Sequence, residues 1–220
     1  MDIPLNVRAA LEREAQITEA IRVSLSAYRS TIGDPEKNHV IYASSAITTG
    51  KRLYEYMREH GITSLEDFRR PDNDAYMRFV KEENIKDGKA FAEELRTLEV
   101  PSPQDQKKLI PPIVIAPVDF LQLTWSDEMY MTMWNAVIKQ FADEVSFNSN
   151  PFYSTGQSEE FYTGLCQNKL LTLRGSREPM DPRQSLQLFE ESIDDIATTL
   201  GKIPSKLYKI YRDTEIWVKG

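Results

Sequence analysis

Apolar residues follow two patterns along this chain: short continuous runs and longer stretches with a helical period. The continuous runs predict buried strands at His39–Ala43, Ile113–Pro117, Val145–Phe147 and Leu170–Leu173. Between them, apolar residues recur every three or four positions, which is typical of helices that pack one face on a core. Strands that alternate with helices predict an α/β fold with a parallel sheet and right-handed crossovers.

Three further helical segments flank or interrupt this alternation. Residues 5–28 predict an N-terminal helix and residues 181–217 predict a C-terminal helical extension. Residues 62–110 are less regular, and we interpret them as a helical insertion that serves as a lid or as a dimer contact. The whole chain, 1–220, is then one α/β domain with these additions.

Local signals mark several helix ends. Asp181 is a good N-cap, Pro182 suits the first helical position, and Gly201 suits the position after the last turn. Gly88 is a possible break in the charged helical stretch of the insertion. The prolines between 101 and 112 predict a linker before the second strand.

Charge and cysteine content narrow the range of partners. The chain has 27 Lys and Arg against 34 Asp and Glu, a net charge of -7, which argues against binding a nucleic-acid polymer or a membrane surface. No apolar run approaches the ~20 residues that span a bilayer.

Cys166 is the only cysteine, so we expect a cytoplasmic protein with no disulfide. With only two histidines and no Cys/His cluster, we expect no metal and no cofactor.

Candidate chemistry lies at the carboxyl ends of the predicted strands, where open α/β sheets bind ligands. Three loops fall at that edge: Ser44–Gly50, Asp119–Trp125 and Asn148–Gly156. Hydroxyl, amide and aromatic side chains of these loops suit a sugar, a base or a phosphate. The predicted ligand contacts are Tyr42, Ser44, Ser45, Ala46, Phe120, Trp125, Asn148, Gly156, Gln157 and Ser158.

Glu160 and Asp119 are the predicted catalytic residues. A glycosidic bond breaks through an oxocarbenium-like transition state, which a carboxylate stabilises or attacks. We place Glu160 in the first turn of a helix after a turn at Gly156, where the helix dipole favours an ionised carboxylate. Asp119 follows a buried strand and would bind sugar hydroxyls or act on the base. The alternatives are a glutamate that only favours the helix dipole and an aspartate that only caps a turn.

Three segments together resemble the nucleoside 2-deoxyribosyltransferase-like proteins and the related nucleotide N-glycosidases. Ile41–Thr48 is similar to their first strand and loop, and Ala142–Val145 is similar to their entry to a later strand. The spacing of Gly156 and Glu160 resembles their Gly-Thr-x-x-Glu motif. This chain departs from the family pattern at two places: Ser45-Ala46 replaces Gly-Pro, and Gln157 replaces the Thr after the glycine.

The resemblance implies a flavodoxin-like (Rossmann-like) sheet, homo-oligomers, and cleavage or transfer at the N-glycosidic bond of a nucleoside or nucleotide. It makes Glu160 the nucleophile and places Tyr42 and the loop after it around the base and sugar. Two other functions stay open. The departures at Ser45-Ala46 favour a non-catalytic nucleotide-binding module, and the helical ends and insertion favour an oligomeric interaction protein.

Overall fold

A computed structural model describes residues 38–120, 127–176 and 178–220, together with Ala15, Glu19 and Arg22. The N-terminal helix predicted over 5–28 lies outside the described residues, except for those three positions, which are helical. Within the described part of the chain, every helix is too short or too polar to cross a membrane.

Four parallel strands form the central sheet, in the spatial order β4-β1-β5-β6. A separate antiparallel pair, β2 and β3, precedes β4. The order is that of a flavodoxin-like sheet, because the chain adds one strand on one side of β1 and the next strands on the other side. The predicted α/β fold is therefore confirmed. The strands are β1 (Val40–Ser44), β2 (Val100–Pro101), β3 (Leu109–Ile110), β4 (Ile113–Ile115), β5 (Glu144–Phe147) and β6 (Leu170–Leu173).

Helices follow the strands on both faces of the sheet. They are α1 (Lys51–Glu59), α2 (Leu65–Phe68), α3 (Glu83–Arg96), α4 (Asp127–Gln140), α5 (Thr155–Cys166), α6 (Pro182–Leu200) and α7 (Ser205–Lys219). A π-helical segment, Tyr76–Glu82, leads directly into α3. The predicted ends of α6 are confirmed: the Asp181 side chain accepts from two backbone N–H groups, and Gly201 is left-handed with φ of 68°.

Side-chain alternation along β1 divides the core into two layers. Val40 and Tyr42 belong to the larger layer, which includes apolar residues of α1, α4, α5 and α6. Ile41 and Ala43 belong to a smaller layer that α3 covers with Phe91, among other residues. Both layers are apolar, as expected for a parallel sheet with helices on each face.

Residues 62–110 pack against the sheet, and two local predictions within them are wrong. Gly88 does not break a helix but lies inside α3, where a Cβ would come within 2.6 Å of the Ser45 Oγ. Glycine is needed there because the helix passes close to the loop that follows β1. The proline-rich linker contains a short antiparallel pair, since Pro101 pairs with Leu109.

Candidate active site

Glu160 lies at the carboxyl end of β1, which is one of the two neighbouring strands where the sheet order reverses. Side chains alternate along β1, so Tyr42 and Ser44 point to the same face. The Tyr42 hydroxyl donates to Glu160 Oε1 at 2.6 Å, and the Ser44 hydroxyl donates to Glu160 Oε2 at 2.5 Å. Each carboxylate oxygen is therefore held by a separate hydroxyl from one strand.

The start of α5 differs from the sequence prediction. Ser154 is the N-cap and α5 begins at Thr155, so Gly156 is inside the first turn rather than in a turn before it. Glu160 is then the sixth residue of the helix, which puts it beyond the first turn. The helix dipole acts mainly within the first turn, so it is not what favours the ionised form of Glu160. The two hydroxyl donors have that effect instead.

Burial and hydrogen bonding act in opposite directions on Glu160. Its pKa is raised to about 7, and the largest cause is the loss of hydration on burial. Hydrogen bonds from Ser44 and Tyr42 oppose this rise, while the nearby charge of Glu159 adds to it. The pKa of Tyr42 is raised far above its ordinary value, first by burial and then by the Glu160 carboxylate. At neutral pH the Tyr42 hydroxyl therefore keeps its proton and remains a hydrogen-bond donor, whereas Glu160 is present in both its neutral and its ionised form.

A second polar layer joins this carboxylate to the loop after β5. The Gln157 side-chain amide donates to the Ser44 backbone oxygen, to the Ser44 hydroxyl and to Asn148 Oδ1, each at 3.3 Å. Asn148 in turn donates to Asp87 Oδ2 at 3.3 Å. Four predicted contacts, Tyr42, Ser44, Asn148 and Gln157, thus form one hydrogen-bonded group with the predicted nucleophile.

Aromatic rings line the region next to Tyr42. The Trp134 ring lies 6.0 Å from Tyr42 and 6.1 Å from Phe120, measured between centroids. Phe120 is 55% exposed, so its ring forms an accessible surface beside the buried pair. We did not predict Trp134, whose position in the apolar face of α4 is the only sequence signal. Trp125 lies outside the described residues.

The structure places the remaining predicted residues elsewhere. Asp119 follows β4 as predicted, but its carboxylate accepts from Arg96 of α3 at 2.5 Å. Among the described residues, no hydrogen bond or ion pair joins Asp119 to Glu160. Ser45 lies against Gly88, and Ala46 lies against Gly50. The Ser158 hydroxyl donates to the Pro151 backbone oxygen at 3.3 Å and is fully buried.

Two concave surfaces lie away from Glu160. One, of about 470 Å³, lies between α6 and α7, and the other, of about 520 Å³, lies beside His39 at the amino end of β1. The part of the chain that the structure describes contains no group of three or more His, Cys, Asp or Glu side chains that could hold a metal ion.

Comparisons with protein-family models, with curated proteins and with solved structures found no significant match. The function is therefore argued from the arrangement of these side chains.

Proposed function

We propose that this protein cleaves or transfers at the N-glycosidic bond of a nucleoside or nucleotide, with Glu160 as the nucleophile. The observation that carries the proposal is the buried Glu160 carboxylate, held by Tyr42 and Ser44 at the carboxyl edge of a flavodoxin-like sheet. This edge is where such sheets bind ligands. With a pKa of about 7, a large fraction of Glu160 is ionised at neutral pH, which is the form that a nucleophile needs.

The reaction would proceed in two displacements. A Glu160 oxygen forms a bond to the anomeric carbon while the bond from that carbon to the base nitrogen breaks, and the base keeps the electron pair and takes a proton from water. Water or a second base then displaces Glu160 from the sugar and loses a proton to the solvent, which leaves Glu160 as the carboxylate. Tyr42 and Ser44 would hold the carboxylate in position and stabilise its charge before the attack and after its release. The exposed Phe120 ring would stack on the base.

A non-catalytic nucleotide-binding module is the second candidate. Glu160 is only 7% exposed, and both of its oxygens already accept hydrogen bonds. A carboxylate in this state can also be a structural group that holds β1 against α5. Such a module would bind nucleotides without releasing a base. The homo-oligomer implied by the resemblance and the cytoplasmic location stay predictions.

Base release from nucleosides, nucleoside monophosphates and NAD tests the proposal. Chromatography should detect the free base with the wild-type protein. Glu160→Gln should lower the rate by about 10³-fold or more, because an amide is not a nucleophile. Rapid quenching followed by mass spectrometry of the digested protein should find the sugar attached to the peptide that contains Glu160.

Glu159→Gln is the matched control, because it makes the same change at the neighbouring position. Glu159 contacts Lys206 of α7 at 2.8 Å and Asn135 of α4 at 3.2 Å. The control should keep the wild-type rate within about 3-fold, as expected for a site outside the chemistry. Base release that is equally fast in both variants would exclude Glu160 as the nucleophile. Nucleotide binding without any base release would support the binding module instead.

A further inference from the structure

The Gln157 side chain is held in one orientation beside Glu160. Gln157 is 2% exposed, and its amide nitrogen lies 3.3 Å from the Ser44 backbone oxygen. A backbone carbonyl can only accept, so the end of the amide that faces Ser44 must be the nitrogen. The Asn148 side chain accepts from the same nitrogen. The amide oxygen, Oε1, therefore points away from both partners.

That oxygen is a buried acceptor that needs a donor. No described residue donates to Gln157 Oε1, although the atom is buried. A buried acceptor left without a donor destabilises the protein, because it has lost its hydrogen bonds to water without a replacement. The Ser44 hydroxyl lies 3.3 Å from Gln157 Nε2 and 2.5 Å from Glu160 Oε2, so the Gln157 side-chain amide as a whole lies beside the carboxylate. A ligand group that enters this layer beside Glu160 would supply the donor that Oε1 lacks.

The direction from which Glu160 attacks the anomeric carbon limits which group of the ligand can donate a hydrogen bond to Gln157 Oε1. A nucleophile attacks the anomeric carbon from the side opposite to the leaving base, so amino groups of the base lie away from Glu160. In a β-nucleoside the side under attack carries the sugar hydroxyls. The hydroxyl on the carbon next to the anomeric carbon, the 2-hydroxyl, is the nearest of them. Hydrogen bonds to this hydroxyl strengthen in glycosidase transition states.

We propose that Gln157 Oε1 accepts a hydrogen bond from the 2-hydroxyl of the sugar, so that the substrates are ribosides rather than 2-deoxyribosides. This inference rests on the proposed function, because it takes the anomeric carbon to lie at Glu160. Gln157 stands where the resembling family has Thr. A site built to bond a hydroxyl discriminates strongly against the analogue that lacks it, because its own polar group is then left unpaired.

Paired substrates test the inference with the full-length protein. Adenosine is compared with 2-deoxyadenosine, and AMP with dAMP, by the kcat/KM for adenine release. The wild-type protein should prefer the ribosyl member of at least one pair by about 10-fold or more. Gln157→Leu keeps the size of the side chain but removes the acceptor. It should lower kcat/KM for the ribosyl substrate by about 10-fold or more beyond any fall in the 2-deoxyribosyl value, so that the preference of the wild type is lost.

Gln187→Leu is the matched control, because Gln187 is exposed on α6 and bonds only Glu191 among the described residues. It should leave the ratio of the two kcat/KM values unchanged. A general loss of structure in Gln157→Leu would lower both values together and leave their ratio as in the wild type, which would contradict the inference. Equal or faster release from the 2-deoxyribosides by the wild type would also contradict it, while leaving the proposed function intact.

Calorimetry separates failure of the inference from failure of the proposed function. If neither these four compounds nor the matching ribosyl and 2-deoxyribosyl pairs of the other bases release a base, the proposed function is contradicted, and binding affinities within each pair are compared instead. Tighter binding of adenosine or AMP than of the 2-deoxy analogue, lost in Gln157→Leu, would support recognition of the 2-hydroxyl without chemistry. Equal affinities for both members of each pair, or no binding of any of them, would overturn the inference.

Discussion

The ionised form of Glu160 is stable in this fold only to the extent that its two hydroxyl donors offset the loss of hydration on burial. Loss of hydration favours the neutral acid, while Tyr42 and Ser44 favour the carboxylate. The result is a group whose proton equilibrium lies near neutral pH. A small change around this side chain therefore shifts the ionised fraction of Glu160.

The stability of the protein should depend on pH through Glu160. Its pKa is about 7 in the folded protein and 4.5 as an ordinary glutamate. The folded state holds more protons between these values, so the free energy of unfolding falls as pH rises from about 4.5 to about 7. The loss is on the order of 3 kcal/mol. Urea unfolding at pH 5 and pH 8 should show a smaller fall for Glu160→Gln, which cannot ionise, than for the wild type.

Glu159→Gln serves as the control for this measurement. It removes a carboxylate whose side chain is 26% exposed and leaves Glu160 in place. Because the Glu159 charge raises the pKa of Glu160, the stability of this variant should fall between pH 5 and pH 8 by somewhat less than that of the wild type but by more than that of Glu160→Gln. A fall in Glu160→Gln as large as that in the wild type would mean that the ionisation of Glu160 does not govern this pH dependence.

At the scale of elements, the loop after β1 is fixed by backbone geometry that only glycine adopts readily. Gly50 has φ of 99° and ψ of 172°, and its N–H donates to the Tyr153 backbone oxygen at 3.1 Å. The Thr49 hydroxyl donates to the Ser154 hydroxyl at 2.9 Å. The loop that follows Ser44 is thereby joined to the N-cap of α5, the helix that carries Glu160.

Gly50→Ala should therefore destabilise the protein more than Gly61→Ala. Both glycines have positive φ, 99° and 65°, so alanine is strained at each position. A Cβ at Gly50 would also lie 2.8 Å from the Ala46 Cβ, whereas nothing lies within 4 Å at Gly61. We expect a cost of about 1 kcal/mol at Gly61 and about 3 kcal/mol or more at Gly50. Urea unfolding midpoints measure both, and equal costs would contradict the close approach to Ala46.

Elements whose signals are local could be predicted from the sequence, and those that depend on distant contacts could not. The ends of α6 follow from Asp181 and Gly201, whose capping preferences act within a few residues. Gly88 was misinterpreted because the reason for it is the approach of Ser45, which belongs to another part of the chain. In the candidate site, alternation along β1 pairs Tyr42 with Ser44, but nothing local reveals that Arg96 holds Asp119.

At the scale of the whole molecule, α3 is tied to the far strand of the sheet as well as to β1. Arg174, which follows β6, donates two hydrogen bonds to Glu94 at 2.7 Å and one to Asp87 at 2.8 Å. Asp87 also accepts from Asn148, which belongs to the polar layer beside Glu160. The segment interpreted as an insertion thus spans the sheet from its centre to its edge.

A lid and a core helix differ in how they affect global stability, and Phe91 distinguishes them. Phe91 is 1% exposed and packs with Ile41 and Ala43 of β1, so Phe91→Ala leaves a cavity against the sheet. We expect a loss of about 3–5 kcal/mol in the free energy of unfolding. Phe79→Ala is the control, because Phe79 is 57% exposed, and it should cost about 1 kcal/mol or less. A lid would open without unfolding the sheet, so wild-type stability in Phe91→Ala would show that α3 is not part of the cooperative core.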